Sequence, residues 1–121
     1  MYNIRMANLN DENKLINLVK PKLLDEKTDK NARNVLDEFL NNNKFRVFVL
    51  REDDVLKGFC SIEIKSDAGE NKEESAEIVM LNVNNDSKEK SYKKMLMEYI
   101  EDYLKQIGIK GMYLRLWRMA Y

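Results

Sequence analysis

Four lysines fall within the seven residues Lys88-Glu89-Lys90-Ser91-Tyr92-Lys93-Lys94, where a run of apolar residues gives way to a helix-like pattern. The free backbone N–H groups and positive dipole end of a helix N-terminus favour anions, so a lysine-rich segment there is suited to a phosphate-bearing ligand. The plainer reading is a solvated helix start, because charge clusters commonly serve only to meet water. The chain contains no histidine and one cysteine. Ser-His and Cys-His nucleophile pairs are therefore excluded, and so are the usual zinc ligand sets, leaving no metal site to expect. Proton transfer falls to carboxylate, tyrosine, lysine, cysteine or water. Cys60 lies in an apolar strand-like pattern, where a free cysteine behaves as a small hydrophobe, and it is not expected to be a nucleophile.

Twenty-one basic side chains balance 21 acidic ones, so no global field draws the protein to nucleic acid or to an acidic membrane surface. No apolar stretch approaches the roughly 20 residues of a membrane-spanning helix, and the first residues lack the basic and apolar regions of a signal peptide. A cytoplasmic location is expected. With 121 residues, 44% of them hydrophobic and 35% charged, one domain over residues 1–121 with one core is expected.

The elements that must position the lysine run can be read from periodicity. Tyr2 to Met6 reads as a strand, and Asn8 to Asp11 offers side chains that cap a helix carrying Leu15, Leu18 and Val19 as far as Pro21. Ala32, Val35, Leu36, Phe39 and Leu40 mark one face of a second helix, broken by Asn41-Asn42-Asn43. Phe45 to Leu50 and Val55 to Lys65 form a hairpin across Glu52-Asp53-Asp54, followed by a polar loop from Ser66 to Glu74 and a strand from Ala76 to Val83. A long amphipathic helix with Tyr92, Leu96, Tyr99, Ile100 and Tyr103 ends at Gly108, and a last strand runs from Ile109 to Trp117. Tyr92, Tyr99 and Tyr103 are read as packing, since no basic groove accompanies them for base stacking. The order is strand, helix, helix, three strands, helix, strand, a mixed α/β fold. The helix before the last strand is a crossover, which makes the flanking strands parallel neighbours. Ligands of such sheets lie beyond the strands' carboxyl ends, which directs attention to Val83 to Lys94.

Over most of its length this pattern resembles the GNAT superfamily of acyl-CoA-dependent N-acyltransferases. Ile4-Arg5-x-Ala7-x-x-x-Asp11 is similar to the family's opening, and Val55-Leu56-Lys57-Gly58-Phe59 to the start of its third strand. Ala76-Glu77-Ile78 with Leu81-x-Val83 is similar to its fourth strand, and Leu96 to Tyr113 to its long helix, Gly-Ile turn and fifth strand. The resemblance implies an acetyl-CoA-dependent N-acetyltransferase acting on a small-molecule or peptide amine. It implies that Leu81, Asn82 and Val83 offer backbone groups to the cofactor's pantetheine arm. It also aligns Lys88, Glu89, Lys90, Ser91, Tyr92 and Lys93, with Lys94 beside them, to the family's Arg/Gln-x-x-Gly-x-Gly/Ala loop, whose N–H groups hold the pyrophosphate. By the same resemblance Glu77 is the carboxylate placed to act as base, directly or through water, the plainer reading being an outward-facing strand residue; Tyr113 and Tyr121 are the tyrosines to consider as acid.

The sequence departs from the family's pattern in two ways. Ser91 and Lys93 stand at the two small positions of the loop, and Glu89 adds an acid beside the anion site. Past the fifth strand the family continues with a helix and two strands, whereas this sequence reaches Tyr121, so those elements are expected to be missing. An uncovered edge bearing Met112, Leu114 and Leu116 then implies either a shortened domain or a partner subunit, as in a homodimer. The alternative function is a catalytically inactive GNAT-like module for protein interaction, self-association or acyl-CoA sensing.

Overall fold

The computed structural model describes residues 1–66 and 74–109, and the backbone of residues 111–114. Strand β1 (Tyr2–Met6) leads through a 3-10 turn, Leu9–Asp11, into helix α1 (Glu12–Val19). Three local contacts set this entry. The Asn8 Oδ1 accepts the Asn10 N–H at 2.9 Å, the Asp11 carboxylate accepts the Asn8 N–H at 2.8 Å, and the Arg5 fork grips the same carboxylate at 2.8 and 2.9 Å. Pro21 lies in a second 3-10 turn, Lys20–Lys22, where its missing N–H is tolerated. Helix α2 (Asp29–Asn41) starts at Thr28, whose hydroxyl accepts the Asn31 N–H at 3.1 Å.

Strands β2 (Phe45–Glu52) and β3 (Val55–Ser66) meet in a two-residue turn, with Glu52 paired to Val55. Asp53 and Asp54 carry φ of 49° and 67°, the left-handed values that a primed hairpin turn demands and that aspartate tolerates better than most residues. Strand β4 (Glu74–Val83) is followed by helix α3 (Glu89–Gln106) and strand β5 (Gly111–Leu114). Helix α3 closes at Gly108, with φ of 83°, while the Ile109 N–H returns to the Leu104 carbonyl at 2.9 Å.

The five strands lie in the order β1-β2-β3-β4-β5. The first four are antiparallel, and β5 runs parallel to β4, as a crossover through α3 requires. Alternation sends Phe48 and Leu50 to the face covered by α3, and Val47 and Val49 to the face covered by α1 and α2. Tyr92, Leu96, Ile100 and Leu104 supply the buried stripe of α3, so the tyrosine ladder is packing as its spacing predicts. Tyr99 and Tyr103 both meet Phe48 edge-on, with centroids 5.7 and 5.1 Å apart. Cys60 is fully buried, and burial pushes its thiol far above the ordinary range, in keeping with a hydrophobe.

The sequence-based order of elements holds, with bounds that differ locally. The first helix begins at Glu12, after a 3-10 turn, because Asp11 is engaged in capping. Ser66 and Glu74, expected in a loop, end β3 and begin β4; the rest of that loop lies outside the described residues. So do the expected strand end at Trp117, the edge residue Leu116 and the candidate acid Tyr121.

Candidate active site

Register is broken once between β3 and β4. Ser61 pairs with Met80 but Ile62 pairs with Ile78, which leaves Val79 as an extra residue in β4. A bulge inverts side-chain parity: Ile78 and Leu81 both join the α3 core, while Val79 and Met80 both pack toward α1 and α2. Ser61, opposite the bulge, is fully buried, and its hydroxyl has no hydrogen-bond partner among the described residues.

Glu77 lies two residues before the bulge, on the α1 and α2 face. Its Cα pairs with Glu63 on β3 and Tyr113 on β5. The side chain is only 14% exposed, so this is not an open surface position, and its Oε2 is 2.6 Å from the Lys65 Nζ. Beyond the bulge, Leu81 and Val83 bury their side chains against α3. Asn82 faces the other way, its Nδ2 donating to the Leu18 carbonyl at 2.8 Å and pinning β4 to the end of α1. All three side chains are engaged within the protein, two by packing and one by a hydrogen bond, which leaves backbone groups as what this strand can offer a ligand.

Close contact between β3 and β4 is required at the same end of the sheet. A Cβ on Gly58 would lie 2.6 Å from Val83 Cγ1 and 3.2 Å from the Asn82 carbonyl oxygen, so only glycine fits. The Asn84 N–H then bonds the Lys57 carbonyl at 2.7 Å and steers the chain toward α3.

Asp86 organises the start of α3. Its Oδ1 accepts the Lys88 N–H at 2.8 Å and its carbonyl accepts the Glu89 N–H at 3.2 Å. Its Oδ2 receives the Tyr92 hydroxyl at 3.2 Å and lies 4.0 Å from the Lys57 Nζ. Of the helix-opening amides, those of Lys90 and Ser91 make no hydrogen bond among the described residues, and both residues are exposed. Tyr92 belongs to the core, where burial first and the Asp86 contact second raise its pKa, and its N–H already bonds the Lys88 carbonyl at 2.9 Å.

The lysines of the run are largely engaged within the protein. Lys88 Nζ is 3.0 Å from Glu52 Oε2 and 5.7 Å from the Tyr2 ring centroid. The Glu52 contact holds the ammonium's pKa above its ordinary value, and the Lys88 contact holds the Glu52 carboxyl below its own. Lys93 reaches Glu89 at 3.4 Å and Lys94 reaches Glu98 at 3.9 Å, both along the helix surface. The side chain of Lys93 is thus paired along α3. Sequence reasoning missed Asp86, Glu52, Lys57 and Lys65 as neighbours of the site. An aspartate in the polar turn before a helix was a readable signal for Asp86; the other three arrive through strand register.

A family model described as an acetyltransferase (GNAT) domain matches residues 4–118. A search of curated protein sequences finds no match. Among solved structures, the chain is similar to a GNAT family acetyltransferase from Staphylococcus aureus, with TM-score 0.78 and 20% identity over 94% of this chain and 85% of that one. It is also similar to glucosamine-6-phosphate N-acetyltransferase from Arabidopsis thaliana, with TM-score 0.73 and 19% identity over 94% and 81% of the two chains. A third is a predicted acetyltransferase from Clostridium acetobutylicum solved with acetyl-CoA, with TM-score 0.73 and 15% identity over 94% and 80%. At these identities the structures establish the shared fold, and the family model, spanning nearly the whole sequence, shows that the chain belongs to the GNAT acetyltransferases.

Proposed function

We propose that this domain transfers an acetyl group from acetyl-CoA to an amine, with Glu77 as the base. The observation that carries the reading is the pair of amides of Lys90 and Ser91, which make no hydrogen bond among the described residues and lie in the first turn of α3, joined to β4 by residues 84–88. Two N–H groups at a helix N-terminus suit a diphosphate, and the 14% exposure of Glu77 suits a base partly shielded from water. The donor set fits the group through its backbone more than through its charge. Met80 to Val83 would pair with the pantetheine arm as an added strand does, and Lys88, Lys90, Lys93 and Lys94 would supply cations to the phosphates, Lys88, Lys93 and Lys94 at the cost of their present carboxylate partners. A thioester supplies an activated acyl group; the chain's part is to align it, hold the acceptor nitrogen near Glu77 and remove a proton from it. The acetyl-CoA in the Clostridium acetobutylicum structure supports this choice of donor.

The reading is tested by titration calorimetry with acetyl-CoA and with CoA. Saturable binding of both is expected, and no heat at millimolar concentration overturns it. A module that binds a protein instead of catalysing is the second reading. It is favoured by the ion pairs that occupy Lys88, Lys57 and Lys93. Absent cofactor binding together with a dimer in size-exclusion light scattering would select it.

A further inference from the structure

Lys65 Nζ stands 2.6 Å from Glu77 Oε2, and this contact between a primary ammonium and the proposed base is the one an incoming acceptor amine would have to make. The strands supply it through a diagonal: Lys65 pairs with Ser75, yet its side chain reaches Glu77, two residues further along β4 and toward the bulge at Val79. Lys65 Nζ therefore already stands where an acceptor nitrogen served by Glu77 would stand, on the side of Glu77 away from the bulge. Glu63 pairs directly with Glu77 and adds a second carboxylate to this face, so the position favours a cation. The lysine side chain is 42% exposed, which leaves it free to move, while the carboxylate it meets is mostly covered.

We infer that Lys65 is an acyl acceptor within the chain, a site of self-acylation served by Glu77. The inference rests on the proposed acetyl-CoA reading and adds to it a defined primary alkylamine. One ammonium proton passes to Glu77, and the freed lone pair attacks the thioester carbonyl carbon. The C–N bond forms, the C–S bond breaks, the thiolate takes the second nitrogen proton, and Glu77 returns its proton to water. Ammonium and thioester thereby become acetamide, thiol and one released proton.

The full chain incubated with acetyl-CoA and mapped by peptide mass spectrometry is expected to acetylate Lys65 about tenfold or more faster than the exposed Lys14 and Lys30, at a rate independent of protein concentration. Glu77→Gln should abolish that preference, bringing Lys65 down to the rate of Lys14 and Lys30 measured in the same sample. A readout free of the donor is reductive 13C-methylation followed by NMR: the Lys65 signal, assigned with Lys65→Arg, should stand apart from the bulk and move in Glu77→Gln. Equal rates at all three lysines, a rate proportional to protein concentration, or a Lys65 signal blind to Glu77→Gln overturns the proposal. Calorimetry on wild type and Lys65→Arg separates the two levels. Binding to both with Lys65 unmodified rejects self-acylation alone, whereas no binding to either removes the acetyl-CoA reading and this one with it.

Discussion

Tyr92 directs its hydroxyl out of the α3 core to within 3.2 Å of Asp86 Oδ2, while the other oxygen of that carboxylate accepts the Lys88 N–H at 2.8 Å in the turn that leads into the helix. One side chain thus holds both the first turn of α3 and the polar end of its first core residue. Asp86→Ala should destabilise the protein by about 1–2 kcal/mol through loss of its hydrogen bonds to the Lys88 N–H and the Tyr92 hydroxyl, read as a lower midpoint in urea unfolding. Because the folded state raises the Tyr92 pKa above its ordinary 10, the associated stability is present below that pH and is lost as pH rises through the folded value. Unfolding followed between pH 9 and pH 12 should therefore be less pH-sensitive in Tyr92→Phe than in wild type.

Gly58 and Val83 set a second expectation. A methyl group on Gly58 would have to displace Val83 Cγ1 and press on the Asn82 carbonyl, a crowding that costs about 1–3 kcal/mol. Thermal unfolding of Gly58→Ala should show this loss, and the double variant with Val83→Ala should show less than the sum of the single effects.

On the edge strand β1, hydrogen bonds from Arg5 hold the Asp11 carboxyl below its ordinary range. Its stability contribution is therefore present above the unfolded value near 3.8 and is lost as pH falls below it. Asp11→Asn should cost about 1 kcal/mol at pH 7, and the gap from wild type should narrow below pH ~3.5 in acid unfolding curves, since Asp11 is partly screened by solvent.

For the proposed chemistry, Glu77→Gln keeps the shape of the side chain and removes its basicity. Thiol release on a panel of amines should fall by about 10²–10⁴-fold, with acetyl-CoA affinity within a few-fold of wild type. Unchanged turnover would reassign the base.

Much of this protein was determined by its sequence alone. The alternation of Val47, Phe48, Val49 and Leu50, the helical recurrence of Tyr92, Leu96 and Ile100, the stop at Gly108 and the caps around Asn8 and Asp11 act within a few residues, so their physics is local and legible. The same holds for the lysine-rich opening of α3, and for Glu77, which stood out through the resemblance its strand carries. Tertiary structure alone decided the company these residues keep. Lys88 meets Glu52 and Lys65 meets Glu77 because strands pair in a given register, and the extra residue at Val79 reverses which side chains face α3 after that point. Register and bulges arise from the summed packing of two sheet faces against three helices, a property of the whole fold that no window of sequence contains.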